Sequence, residues 1–206
     1  MILLYNKYIG LFCIAIVSIS CSKEVTPIVV QPDHFHTAID KVTEVLIHDI
    51  FSPPVASRIY AYPNIAAYEI MASQSANYNS LAGQLKELTP IPKVQEGKDI
   101  HYELAALVAH MDLSRRLVFS EDKLNVYRDS LYNVWGTANP QQLADSKSYG
   151  LQVAEHIAQW YDADNYKQTR TMPKFSVNTD DAARWQPTPP SYMPGIEPHW
   201  NKIRPF

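Results

Sequence analysis

Cysteine is almost missing from this chain. Cys13 and Cys21 are the two, and both fall within the first 21 of 206 residues. The rest of the chain therefore has no disulfide, no thiolate nucleophile and no cysteine-based metal site. Glycine is scarce too, with six residues. The patterns G-x-S-x-G, G-x-G-x-x-G and the P-loop are all absent, which excludes the commonest nucleophile elbow and phosphate cradles. There is no run of like charge and the net charge is −3, so no nucleic-acid partner is expected. What the chain does have is 46% hydrophobic residues, 13 tyrosines and 15 prolines. That suits one globular, helical domain with a single core and much aromatic packing.

The N-terminus has the layout of an export signal. Lys7 supplies a positive region, residues 9–19 are apolar, and Ser20-Cys21 follows. An apolar core of about a dozen residues is too short to cross a bilayer as a helix, which needs roughly 20. The I-S-C ending resembles a lipobox, although Ser18 stands where leucine is usual. The alternative is an ordinary cleaved signal that happens to contain a cysteine. On the lipobox reading, Cys21 is the lipidation site and residues 1–21 are a lipoprotein-type signal peptide. The mature protein would then be membrane-anchored through lipid at the bacterial cell envelope, in the periplasm or at the outer membrane. Residues 22–32 follow as a tether.

From there the periodicity is helical. Phe35, Ile39, Val42, Leu46 and Ile50 make one stripe, with Asp33 as the expected N-cap. Ser52-Pro53-Pro54 breaks that helix and starts a second, with Val55, Ile59, Tyr62, Ala66 and Ile70 as its stripe. Its many alanines allow close helix contact and mark the second helix as a central one, and Pro63 should kink or divide it. Residues 74–97 form a polar loop. A third helix is expected over 98–117, with Leu104, Leu107, Val108 and Met111 facing inward. Ser120 is expected to cap a fourth, with Leu124, Tyr127, Leu131, Val134 and Trp135 inside and Gly136 at its end. Asn139-Pro140 opens a fifth, with Gly150, Val153, Ile157, Trp160 and Tyr161 buried, reaching about Tyr166.

Few of the polar residues have the spacing that chemistry needs. His34 and His36 form an H-x-H pair, but positions i and i+2 on a helix point to different sides and chelate poorly. Asp99, His101, Glu103, His110 and Asp112 are the densest acid–base set, yet they contain no H-E-x-x-H or E-x-x-H. Arg58 and Glu69, on an apolar helix, are expected to make structural pairs or caps.

Residues 184–206 read R-W-Q-P-T-P-P-S-Y-M-P-G-I-E-P-H-W-N-K-I-R-P-F. Six prolines remove donors and fix φ, so this is an extended strap. Trp185, Tyr192, Trp200 and Phe206 are expected to dock into grooves between helices. The strap resembles the W-x-P-T-P-P…P-x-W…x-R-P-F linker of vanadium-dependent haloperoxidases within the type 2 phosphatidic acid phosphatase superfamily. Two further patches resemble that family's N-terminal helical region: S-P-P-V-A-S-R-I-Y-A-Y-P-N-I-A-A-Y-E-I and S-Y-G-L-Q-V-A-E-H-I-A-Q-W-Y-D-A-D-N-Y.

The resemblance implies an all-α fold: about five helices in a bundle over 33–166, then an irregular Pro-rich strap over 167–206. It also implies vanadate for the full-length family, held by a lysine, two arginines, an S-G-H and an S-R-x-x-x-G-x-H. None of these patterns occurs in this chain. Ser57-Arg58 and Ser114-Arg115 lack the G-x-H continuation, and the position seven before Arg204 is Glu197 rather than lysine. No catalytic, cofactor-binding or metal-binding residue is therefore assigned. Two readings follow. Either the chain is the structural part of a haloperoxidase- or acid-phosphatase-like exported lipoprotein, whose partner is a missing C-terminal catalytic half. Or it is a stand-alone, non-catalytic helical lipoprotein that binds a protein partner through its strap.

Overall fold

A computed structural model describes residues 25–206. The expected signal segment 1–21, with the expected lipidation site Cys21, and the first residues of the expected tether lie outside the described residues. Five long helices carry the fold: α1 (Pro32–His48), α2 (Pro53–Ala72), α3 (Tyr102–Arg116), α4 (Glu121–Ala138) and α5 (Pro140–Asp162). A short helix, α6 (Tyr166–Thr169), and a single 3₁₀ turn (Trp200–Lys202) follow. No strand occurs among the described residues, so the fold is all-α.

The end of the expected tether is packed. Ile28 is buried beside Trp135 in the core, and the Thr26 amide donates to the Ala138 carbonyl at 3.2 Å. Helix α1 starts two residues earlier than expected. Pro32 takes its first position, where a missing N–H costs nothing, and Gln31 is the N-cap in place of Asp33.

Helix α3 is the most completely enclosed helix, with the well-buried α2 packed along it. It is buried without interruption from Leu104 to Ser114 and packs on α1, α2, α4 and α5. The run Leu104-Ala105-Ala106-Leu107-Val108-Ala109 has no polar face to present to water, whereas α2 leaves Tyr68 and Met71 at its surface. The α3–α5 crossing is close. A Cβ on Gly150 would lie 2.5 Å from the Ala105 carbonyl oxygen and 2.9 Å from Val108 Cβ, so glycine is required there.

Other departures have local causes. Helix α2 runs unbroken through Pro63. Helix α4 continues past Gly136 to Ala138, and Val134 on it is exposed. Ile50 lies beyond α1 with φ +57° and is also exposed. Ser120 holds the N-cap position of α4 but makes no capping bond. Instead Asp49, at the end of α1, accepts from the amides of Phe119 and Ser120 at 2.9 Å each and from Ser120 Oγ at 2.5 Å. Burial pushes the Asp49 carboxyl up, but these donors outweigh it and hold it below its ordinary value. Asn139 caps α5 as expected, accepting from the Gln142 amide at 3.1 Å.

Candidate functional site

The most elaborate polar assembly joins α2, the end of α5 and the strap. Arg58 and Tyr62 lie one helical turn apart on α2 and so present to one side. Arg58 Nε donates to Asp164 Oδ2 at 2.6 Å, with both side chains buried. Tyr62 Oη donates to the same oxygen at 2.8 Å, and the Tyr166 amide donates to Oδ1 at 2.8 Å. The guanidinium lies against the rings of Tyr62, Tyr161 and Tyr166 at 5.0, 5.2 and 4.4 Å, so its desolvation is offset on several sides. Burial and the neighbouring Asp164 carboxylate together raise the Tyr62 phenol above its ordinary pKa, keeping it a donor.

Asp164 reaches this position because the next residue, Asn165, adopts φ +74° and turns the chain. Asparagine tolerates that left-handed conformation. The Asp164 carbonyl then accepts the Arg204 amide at 2.8 Å, which fixes the strap. Arg204 Nη2 donates to the Trp160 carbonyl at 2.7 Å, and its guanidinium lies 4.6 Å from the Trp160 ring. Phe206 packs on Tyr62 and Trp160 with ring centroids 5.3 and 5.9 Å apart. A cavity of about 390 Å³ remains here, walled by Ser57, Arg58, Tyr62, Trp200, Arg204 and Phe206.

The other residues singled out in the sequence do not join this assembly. Glu69 caps the following loop, accepting from Ser80 Oγ and the Leu81 amide at 2.6 Å each. Arg115 pairs with Asp112 and Glu121, and Arg116 with Asp112 and Glu155. His34 turns its ring edge to Trp135 while His36 stays at the surface near Asp33. His101 caps α3 through the Leu104 amide at 3.4 Å. His110 is buried under Phe35, with ring centroids 4.8 Å apart. Glu197 pairs with Arg170. No group of three or more His, Cys, Asp or Glu that could hold a metal occurs among the described residues. Nor do these arginines fit an oxyanion such as vanadate. Arg58, Arg115 and Arg116 each already face a carboxylate, and Arg204 is engaged by the Glu87 carboxylate, the Trp160 carbonyl and an indole face.

Of the docking expected along the strap, half is found. Trp200 is half-buried against Tyr166, and Phe206, although 52% exposed, contacts Tyr62 and Trp160 of the bundle. Trp185 and Tyr192 remain largely exposed; Trp185 packs on Phe175 of the same segment instead. Asp164 was missed as a partner for Arg58. Its signal was the D-x-D-N-Y ending of α5, where an acid precedes a left-handed asparagine.

The class defined by these features is an all-α bundle clasped by an ordered Pro- and Trp-rich strap. No protein-family model matches the chain, and no curated protein matches it. Among solved structures it is similar to one described as the crystal structure of the first bacterial vanadium-dependent iodoperoxidase. Identity is 65% and the TM-score 0.84, over 89% of this chain and 44% of that one. The chain is thus vanadium-haloperoxidase-like in sequence and in fold, and it spans less than half the length of that relative.

Proposed function

We propose that this chain is the N-terminal structural part of an exported, lipid-anchored protein of the vanadium-dependent haloperoxidase and acid phosphatase type. Its role is to support a vanadate- or phosphate-binding half rather than to catalyse. The single observation that carries the reading is the match to the iodoperoxidase, at 65% identity but over only 44% of that protein. The sequence adds support, since S-G-H and S-R-x-x-x-G-x-H do not occur within these 206 residues. Export and anchoring rest on the signal-like segment ending at Cys21. No described helix is long and apolar enough to cross a membrane.

Calorimetry with vanadate on the chain from residue 22, with iodide and bromide peroxidase activity assayed alongside, tests the proposal. No binding and no turnover are expected. Micromolar vanadate binding, or turnover, would show an oxyanion site within this chain and overturn the scaffold role.

A further inference from the structure

A second recess, of about 530 Å³, opens between the start of α1, the outer part of α2 and the first turns of α3. Val30, Pro32, Phe35, Ala67, Met71 and Leu107 make its apolar wall. That volume and character fall within the range of small-molecule sites. The polar groups on its rim already serve the fold. Asn64 donates to the Tyr60 carbonyl at 2.8 Å and Tyr68 Oη to the Asn79 carbonyl at 2.9 Å, and Glu103 is a solvated carboxylate in the first turn of α3.

One polar group has no such employment. His110 follows the recess residue Leu107 by three positions and Ala106 by four, which places it on the same face of α3, one turn deeper. Its ring is 2% exposed, and Nδ1 has no hydrogen-bond partner among the described residues. Burial lowers its pKa to about 4, so at neutral pH it is an uncharged imidazole with one donor and one acceptor. Phe35 lines the recess and also covers this ring at 4.8 Å. The half-buried Phe35 side chain stands between the recess and the imidazole, so contact between a ligand and the ring requires its rotation about χ1.

We propose that this recess binds a neutral amphiphile, an apolar body of alkylphenol size carrying one hydroxyl, and that the hydroxyl hydrogen-bonds the buried His110 imidazole. A hydroxyl suits either tautomer because it can donate or accept. A charged head does not suit the site. It would lose its hydration among apolar walls with no counter-ion at the inner end, and Glu103 on the rim repels anions. The site is separate from the strap junction and does not depend on the scaffold role.

The test titrates the full chain at pH 7 with 4-butylphenol and, in parallel, with butylbenzene, by calorimetry and by nitrogen NMR of the His110 ring. Saturable one-to-one binding of the phenol is expected, with a shift of the His110 ring nitrogens and roughly fivefold or more weaker binding of butylbenzene. His110→Phe should bring the phenol down to the butylbenzene level. Because that variant can fail to fold, the ring-nitrogen shift in the unmodified chain decides independently. Equal affinity for the two probes, no saturable binding, or binding that leaves the His110 nitrogens unshifted overturns the proposal.

Discussion

Residues 173–198 and 199–206 both carry prolines and aromatic rings, yet the molecule treats them in opposite ways. The first segment packs mainly on itself: Trp185 meets Phe175 and Gly195, while Tyr192, Met193 and Ile196 face outward. The second is held to the bundle by Trp200, Phe206 and the buried Arg204. Both offer apolar rings, so apolar area alone does not decide where the strap adheres. What differs is the receiving surface. At the chain's end it offers the Asp164 carbonyl to the Arg204 amide, and the Trp160 carbonyl, the Trp160 indole face and the Glu87 carboxylate to the Arg204 guanidinium. Extended chain leaves its backbone groups unpaired, and it adheres where the bundle pairs them.

The receiving surface rests on the Arg58–Asp164 pair, and breaking that pair should have the largest effect. Arg58→Ala leaves a carboxylate buried without its cation, which costs about 3–5 kcal/mol. For a chain of this size that is a fall in Tm of roughly 6–20 °C. Urea unfolding followed by tryptophan fluorescence measures it. A loss below about 1 kcal/mol would mean that the junction is not held this way.

Acid sharpens the bundle side of the comparison. The His110 pKa is about 4 when folded and about 6.5 when unfolded. Between those values the unfolded chain takes up a proton that the folded one refuses. Stability is therefore full above pH 6.5, falls as the pH drops through this window, and levels off below 4 as far as this group is concerned. The total for this one group is up to about 3 kcal/mol. His110→Phe should flatten that part of the pH–stability curve. An unchanged slope would assign the acid sensitivity elsewhere.

Much of the bundle was legible from the sequence. The stripes of α2 and α5 are all buried, and Asn139-Pro140 starts α5 as its chemistry requires, because those signals are local. What escaped was decided by neighbours distant in sequence. Helix α3 has a modest stripe of its own, and only the four helices around it make it central. Ser120 has the chemistry of a cap, but Asp49, 71 residues away, supplies the hydrogen bonds. Arg58 was expected to make a structural pair, and it does, but its partner lies 106 residues on. The exposure of Trp185 and Tyr192 was illegible for a related reason. Aromatics on an extended strap indicate that burial is favourable, and they do not reveal whether this chain provides the surface.

The two smallest effects separate the halves of the strap directly. Arg204→Ala removes a charged hydrogen bond to the Trp160 carbonyl and the stacking on its indole. That should cost about 1–2 kcal/mol and free the last residues to proteolysis. Tyr192→Ser touches a ring that is 62% exposed, and should change stability by less than about 0.5 kcal/mol. Limited proteolysis of both variants beside the parent chain, with the cut sites read by mass spectrometry, gives the comparison. Faster cutting within 199–206 should appear for Arg204→Ala alone. If Tyr192→Ser destabilised the chain as much, residues 173–198 would be held to the bundle too, and the contrast between the two segments would fail. If neither variant changed the cutting, Trp200 and Phe206 would hold the end by apolar contact, and the guanidinium would not be the anchor.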